Sequence, residues 1–451
     1  MCAGRAVGRV MGMSPGRVRL RSQAGQTAAE YLGALVVVAV VIAALANTVL
    51  GVQVRDAMER AVCMIAAGVC DDPTTGSTTP DENVPPPLDQ AKVDAAVEDI
   101  RDALDGGVLG VRGGDLERIQ EILAGLSPQE LDAAIAALSD DDLERLFDQM
   151  DDSGLFGGWD EAHRRSFLNM LAERGSAETL RRIARFTDEL QPSFADVGGD
   201  DARDDPNSPI ADARWGTFPQ QPFIRGDDDG GAAVHPNDVS QGAIGDCWFM
   251  ASLMAIAQQH PELIEQMIRR NANGSYTVTF RDDDGDPVEI TVSGDLPVNP
   301  DGDPIFAHEP TEADTSGDAR EVWPMILEKA FALYKGDYDD IEGDWPETAL
   351  DPLTGIDTEV HDTEDVSLSE LADVHESGGA ALVSSHDDED TPLYDDGTLV
   401  TNHVYAVVGV DEDAGTVTVQ NPWGYDFDPI TISYDEFRDN FGRVDINALV
   451  D

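Results

Sequence analysis

The 451-residue chain holds 89 Asp and Glu against 29 Lys and Arg, a formal net charge of −60. A surface this acidic repels nucleic-acid phosphates, which argues against a nucleic-acid partner, and it draws cations and basic proteins. The length is ample for two or three domains with cores of their own.

The charge is unevenly placed, because residues 1–60 carry seven Arg against two Glu and one Asp. Arg5, Arg9, Arg17, Arg19 and Arg21 precede an apolar run from Leu32 to Ala46 that nearly continues to Val52. Counted from Gln26, residues 26–52 are long enough to cross a bilayer, with the basic leader 1–25 on the cytoplasmic side. The flank Gly25 to Tyr31, G-Q-T-A-A-E-Y, resembles the processing site of Flp-type type IV prepilins. That resemblance implies cleavage between Gly25 and Gln26, with Glu30 and Tyr31 in their expected places, and pilus or prepilin-peptidase machinery as a partner. Ala44-Leu45-Ala46 offers a signal-peptidase site instead, and a plain membrane anchor is the third reading. All three export the body of the protein, as a single-pass membrane protein or a secreted one.

Of the four cysteines, Cys2 falls in the leader. Cys63 and Cys70 follow the apolar run closely enough to oxidise into a small loop, or to serve as small apolar residues on a continuing helix. Cys247 is then expected to stand unpaired. Residues 53–88 end in a Pro-, Thr- and Asp-rich stretch without apolar period and read as an extracytoplasmic linker. Residues 89–190 show helical periodicity. Ser127 and Ser139 are natural N-caps, Pro128 suits a first helical position, and acids fill the first turns. Further helices are expected over Asp160–Arg174 and Ala177–Phe186, completing a small bundle in which no residue points to chemistry. Residues 191–214 form an acidic linker.

From Trp215 the texture changes. Gln241 to Leu253, Q-G-A-I-G-D-C-W-F-M-A-S-L, places Cys247 where a Gly-punctuated loop enters an apolar helix. A thiol there feels the positive end of the helix dipole, which favours thiolate, and Gln241 could bring an amide donor to the same place. Tyr276–Phe280 and Val288–Val292 alternate as a hairpin around an Asp-rich turn, and Val322–Tyr334 reads as a second apolar helix. Strands are expected at Ala380–Ser384, His403–Val410, Thr416–Gln420 and Ile430–Ser433. The turn at Asp411–Gly415 pairs the middle two antiparallel and brings His403 and Asn421 to one end of a sheet. A cysteine at a helix start with a histidine and an orienting asparagine is the arrangement of a thiol protease.

Q-G-A-I-G-D-C-W, H-V-Y-A-V-V-G and N-P-W-G together resemble, in order, the three catalytic motifs of calpain-type cysteine proteases. Asp295 to Pro297 and Trp323 to Ala332 add supporting matches. The resemblance covers about residues 210–451. It implies an α+β, papain-like fold for 215–451, with a helical Cys subdomain over about 215–357 and an antiparallel β subdomain over about 358–451. Carried over, Cys247 is the nucleophile, His403 the base and acid, and Asn421 the orienting residue. Gln241 is then an oxyanion-hole donor, and Trp423 shields the His–Asn contact. Asn402 departs from the family's usual Gly before the histidine. Protein or peptide substrates are implied, and calcium enters as a possible activator whose ligands the sequence does not place. The rival expectation is a pilin-like structural or adhesive surface protein with a protease-like domain that only binds.

Overall fold

Ser127 and Ser139 show how local chemistry sets the first helices. Each hydroxyl accepts the N–H three residues on, from Glu130 at 3.4 Å and from Asp142 at 3.1 Å. The Glu130 and Asp142 carboxylates in turn accept the serine N–H groups at 2.8 and 3.0 Å. These reciprocal capping boxes satisfy donors that a helix start leaves without intrahelical partners. The computed structural model describes residues 88–450, apart from breaks at 106–112, 152–157, 200–201, 203–204, 206–207, 226–231, 310–314, 317–318, 388–390 and 425–426. The prepilin-like site at Gly25, Gln26 and Glu30, the apolar run 26–52, and the Cys63–Cys70 pair lie outside the described residues. Among the described residues no helix is long and apolar enough to cross a membrane.

Among the described residues six helices make the bundle: α1 (Gln90–Asp105), α2 (Gly113–Ala124), α3 (Pro128–Ala137), α4 (Asp140–Asp151), α5 (Glu161–Arg174) and α6 (Ala177–Ile183). Their buried faces, including Ile100, Ile119, Leu131, Phe147, Phe167 and Leu171, form one apolar core. The last helix ends at Ile183 rather than Phe186, its C-terminal turn closed by Ala184 N–H on the Leu180 carbonyl. His163, at the start of α5, stacks on Trp159 with centroids 4.3 Å apart and meets Gln120 at 2.9 Å.

Behind the bundle runs a three-stranded sheet, β1 (Ile268–Arg270), β2 (Tyr276–Arg281) and β3 (Pro287–Val292). The hairpin pairs Tyr276 with Val292 and Arg281 with Pro287. Asn169 of α5 covers the edge of β3, accepting Thr291 N–H at 2.9 Å and donating to the Glu289 carbonyl at 2.7 Å. Those are backbone groups an edge strand otherwise leaves open. Asn273 donates to the carbonyls of Ala172 and Gly175, tying the other end of the sheet to the same helix. From Leu88 onward the chain packs as one compact unit.

The apolar helix α7 (Cys247–Gln259) is buried from Cys247 to Ala257, followed by α8 (Pro261–Met267). Helix α9 (Trp323–Lys335) crosses it through Phe331, whose ring stacks on Phe249 at 4.5 Å, and α10 (Pro346–Thr354) also packs on α7. The C-terminal sheet has strand order β8-β7-β6-β5-β9-β4. In chain order these are β4 (Glu359–Asp362), β5 (Ala380–Ser385), β6 (Val404–Asp411), β7 (Thr416–Gln420), β8 (Ile430–Ser433) and β9 (Phe441–Asn447), all antiparallel. Alternate side chains serve two cores, as the two-residue period of a strand requires. Ala380, Leu382, Val404 and Ala406 face α7, while Ala381, Val383, Tyr405 and Val407 face a second core with Leu371 and Phe437. Helices α11 (Leu368–Glu376) and α12 (Tyr434–Asn440) contribute Leu371 and Phe437 to that core.

Candidate active site

Two glycines in the motifs have no room for a side chain. A Cβ on Gly242 would stand 1.9 Å from the Phe306 carbonyl oxygen, so the loop into α7 can run beside that backbone only as glycine. Gly424, at φ 104°, would press a Cβ to 2.9 Å from Ser240 Oγ. These close approaches bring the segment before Cys247 against the segment after Asn421. Gln241 N–H donates to the Pro422 carbonyl at 2.9 Å, and Ser240 Oγ donates to the Trp423 carbonyl at 3.1 Å.

Pairing of β6 with β7 opposes Ala406 to Gln420, and the chain on either side delivers His403 and Asn421 together. His403 Nε2 lies 2.9 Å from Asn421 Oδ1. That oxygen also accepts Trp423 N–H at 3.0 Å, which fixes the amide orientation. In the neutral ring the proton therefore sits on Nε2, and Nδ1 keeps its lone pair. His403 Nδ1 is buried without a hydrogen-bond partner. Burial pushes the imidazole down to about 4 against the upward pull of the Asn421 hydrogen bond, so the ring is neutral at physiological pH. The Trp423 ring lies 5.0 Å from the imidazole and Tyr405 meets it edge-on at 5.1 Å.

Val404 N–H, next in chain to His403, donates to Cys247 Sγ at 3.3 Å, so sheet and helix meet at the sulfur. Cys247 is not the unpaired cysteine expected: its sulfur is held in a disulfide.

Gln241 is 1 % exposed and its amide Nε2 donates to the Ile244 carbonyl at 2.8 Å, while its Oε1 is buried without a partner. Three further residues fix the site, and sequence reasoning had not named them. Ser385, at the end of β5, accepts His403 N–H at 2.9 Å and donates to the Val400 carbonyl at 2.7 Å. Gln420 ties the loop after Asn421 by donating to the Phe427 carbonyl at 2.9 Å. Asp246, beside Cys247, is completely buried. The signal for Asp246 was available, since an acid flanked by glycine and an all-apolar helix has few ways to remain solvated. Asn402 adopts φ 53°, in the left-handed region that favours glycine. Among the described residues no three or more His, Cys, Asp or Glu side chains gather so as to hold a metal ion.

Residues 228–428 match the calpain family of cysteine proteases. The chain is 32% identical to the calpain-type cysteine protease ADL1 of Oryza sativa subsp. japonica over 205 residues, 42% of this chain and 9% of that protein. It is 28% identical to the calpain-2 catalytic subunit of Rattus norvegicus over 205 residues, again 42% of this chain and 28% of the relative. The chain thus spans less than a third of the length of either curated relative. Across residues 228–428 the chain is therefore similar to the protease domain of calpain-family cysteine proteases.

Proposed function

We propose that this domain is a cysteine endopeptidase of papain-like architecture, with protein or peptide substrates lying between the helical layer of Cys247 and the sheet of His403 and Asn421. The observation that supports it best is the meeting of the three motifs. The His403–Asn421 contact is 2.9 Å long, and the strand it introduces donates to the Cys247 sulfur at 3.3 Å.

The chemistry starts from reduced Cys247. His403 Nδ1 takes the thiol proton, and the thiolate attacks the substrate carbonyl. The oxyanion forms beside the N-terminus of α7, where the helix dipole favours negative charge and the Cys247 N–H and Gln241 amide are the donors implied by the family. His403 returns its proton to the leaving amine and then activates water to hydrolyse the thioester. Asn421 is uncharged and fixes the ring without adding a counter-charge. No step is routed through calcium, and its place as an activator rests on the family resemblance alone. Activity with and without a calcium chelator tests it.

Cys247→Ala decides the reading. The reduced wild-type chain is expected to cleave casein-type substrates and the Ala variant to lose at least 10³-fold in rate, on the order found when a covalent nucleophile is removed. Equal cleavage by both would overturn the assignment, and cleavage by neither would leave a domain that only binds, as the pilin-like alternative requires. Export and membrane tethering rest on the sequence of residues 1–52. Digestion of intact cells with an added protease tests them, since a chain inside the membrane survives.

A further inference from the structure

Directly behind the nucleophile lies a polar cluster that the mechanism above does not use. Asp246 is the N-cap of α7, a position where Asp ordinarily accepts the N–H groups of its own first turn. Here its side chain makes no capping bond and is completely buried. Its side-chain neighbours are the carboxyl of Glu328 from α9 and the Gln241 amide, and the charge of Glu342 also acts on it. Glu328 is 1 % exposed, and its Oε1 accepts Ala307 N–H at 2.8 Å. The buried hydroxyl of Tyr338 completes the surroundings and has no hydrogen-bond partner. Lys329, next in chain, points elsewhere, donating to Ser293 Oγ and to the carbonyls of Ser293 and Asp295.

Two carboxylates are acceptors only, and drawn that way both Asp246 oxygens are orphans in a closed interior. Among the described residues, none of the main influences on either group is a basic side chain. Ionised like charges in contact inside a protein are untenable, and one proton shared between them removes both difficulties. The helix terminus decides where the proton sits. Negative charge is favoured at the N-terminus of α7, the position Asp246 holds, with the Gln241 amide as a neighbour. Glu328, in the middle of α9, has neither.

We propose that Glu328 is held as the neutral acid and donates to Asp246, and that this pair is a positioning unit for the Cys247 helix terminus and the Gln241 amide. The inference rests on the reading of Cys247 as the nucleophile. In this arrangement Asp246 is the titrating member, and its ionisation places a negative charge one residue from the sulfur. Burial pushes both groups up, Asp246 to about 7 and Glu328 well above the carboxyl range.

The two isosteric amides separate this pair from simple packing. The readout is the rate at which reduced Cys247 is alkylated by iodoacetamide in the full chain, followed against pH. Asp246→Asn keeps an acceptor for the Glu328 proton but abolishes the charge. It is expected to lower the apparent thiol pKa by about half to one unit, a three- to tenfold gain in rate on its acid side. Glu328→Gln still donates to Asp246 and is expected to restore the wild-type profile, whereas Glu328→Leu, which cannot donate, shifts it. A purely structural pair would respond alike to both amides, and that result overturns the proposal. A second measurement needs no variant to fold. The infrared carbonyl stretch of a protonated carboxylic acid should be present in the wild-type chain at neutral pH, and its absence also overturns the proposal. Alkylation and infrared signals as expected, in a chain that hydrolyses no peptide, would sink the protease reading and leave the proton-sharing pair standing.

Discussion

The bundle of residues 90–183 and the ground around Cys247 treat the same chemical group in opposite ways. In the bundle, acids meet partners. Lys92 donates to Glu130 at 2.7 Å, and that contact, with the Ser127 groups, holds the carboxyl down to about 2. Burial alone would raise Asp142, but the N–H and hydroxyl of Ser139 with Arg101 and Arg145 outweigh it and hold it at about 2. Around Cys247 the acids are enclosed with no such partners, and Gln241, Tyr338 and His403 each keep a buried polar atom unbonded. In the bundle the capping boxes at Ser127 and Ser139 follow the local rules of helix chemistry. The ground around Cys247 breaks several within a few residues, which is where function is expected to reside.

The contrast breaks most sharply at Gly242. Ala at this position drives a Cβ into the Phe306 carbonyl, so the loop before Cys247 must move. Activity is expected to fall to background and stability by about 1–3 kcal/mol, the range for overpacking. Thermal melts alongside peptide hydrolysis check both, and an active, unperturbed Gly242→Ala chain would show that the loop geometry is unimportant. Next comes Asn421→Ala, which leaves the His403 ring free to turn and its Nε2 proton without an acceptor. Misplacement of a catalytic group costs about 10²-fold, here expected in kcat more than in KM.

The pH dependence of stability sharpens the comparison, because the two regions carry opposite signs. Glu130 and Asp142 have depressed folded pKa values, so their contribution is full above the ordinary carboxyl range and is lost as pH falls toward about 2. Asp246 is raised to about 7 by burial. Between the ordinary carboxyl pKa of about 4 and that value the unfolded chain has released a proton that the folded chain keeps, so stability falls as pH rises. Asp246→Asn removes this linkage. The difference in melting temperature between that variant and wild type should therefore move in the variant's favour from about pH 4 to about pH 7. A pH-independent difference contradicts the assignment.

How much of this was legible in the sequence follows the same division. Ser127, Pro128 and Ser139 act through neighbours three residues away, and their helices begin where composition places them. His403 and Asn421 were readable because a five-residue turn between two alternating strands forces their register. The strand Phe441–Asn447, which pairs with β5 on one side and the edge strand β4 on the other, was not foreseen. Its run F-G-R-V-D-I-N carries Arg443 and Asp445, which bond each other at 2.7 Å while Arg443 also pairs with Glu347. A half-buried ion pair disguises a strand paired on both sides as a loop. The Asp246–Glu328 contact joins residues 82 apart in the chain, and no local pattern announces it.

A smaller effect tests the bundle itself. Ser139→Ala removes one half of a capping box and is expected to cost about 1 kcal/mol. Since α5 is bonded to the sheet through Asn169 and Asn273, that loss should lower the melting temperature of the whole unit while kcat/KM stays within about twofold. Two separated transitions would show that the bundle melts by itself.

The smallest effect is expected at Asn402, where the two regimes meet. Its φ of 53° lies in the left-handed region, and its N–H donates to the His386 carbonyl at 2.8 Å, so the backbone before His403 is held in a conformation most side chains avoid. Asn is among the few residues that enter it at little expense. Asn402→Gly relieves the remaining strain but loosens the unfolded chain, two effects of about 0.4–1 kcal/mol that oppose each other. The net change should stay within about 0.5 kcal/mol, with kcat/KM close to wild type. Asn402→Val has no such relief and should cost about 1–2 kcal/mol, the steric penalty of a left-handed L-residue. Because His403 follows directly, that strain should reach the site, and Val is expected to lower kcat as well as stability. If Gly proves as damaging as Val, the Asn402 side chain itself contributes to the site, and the tolerance of this position cannot be explained by backbone conformation.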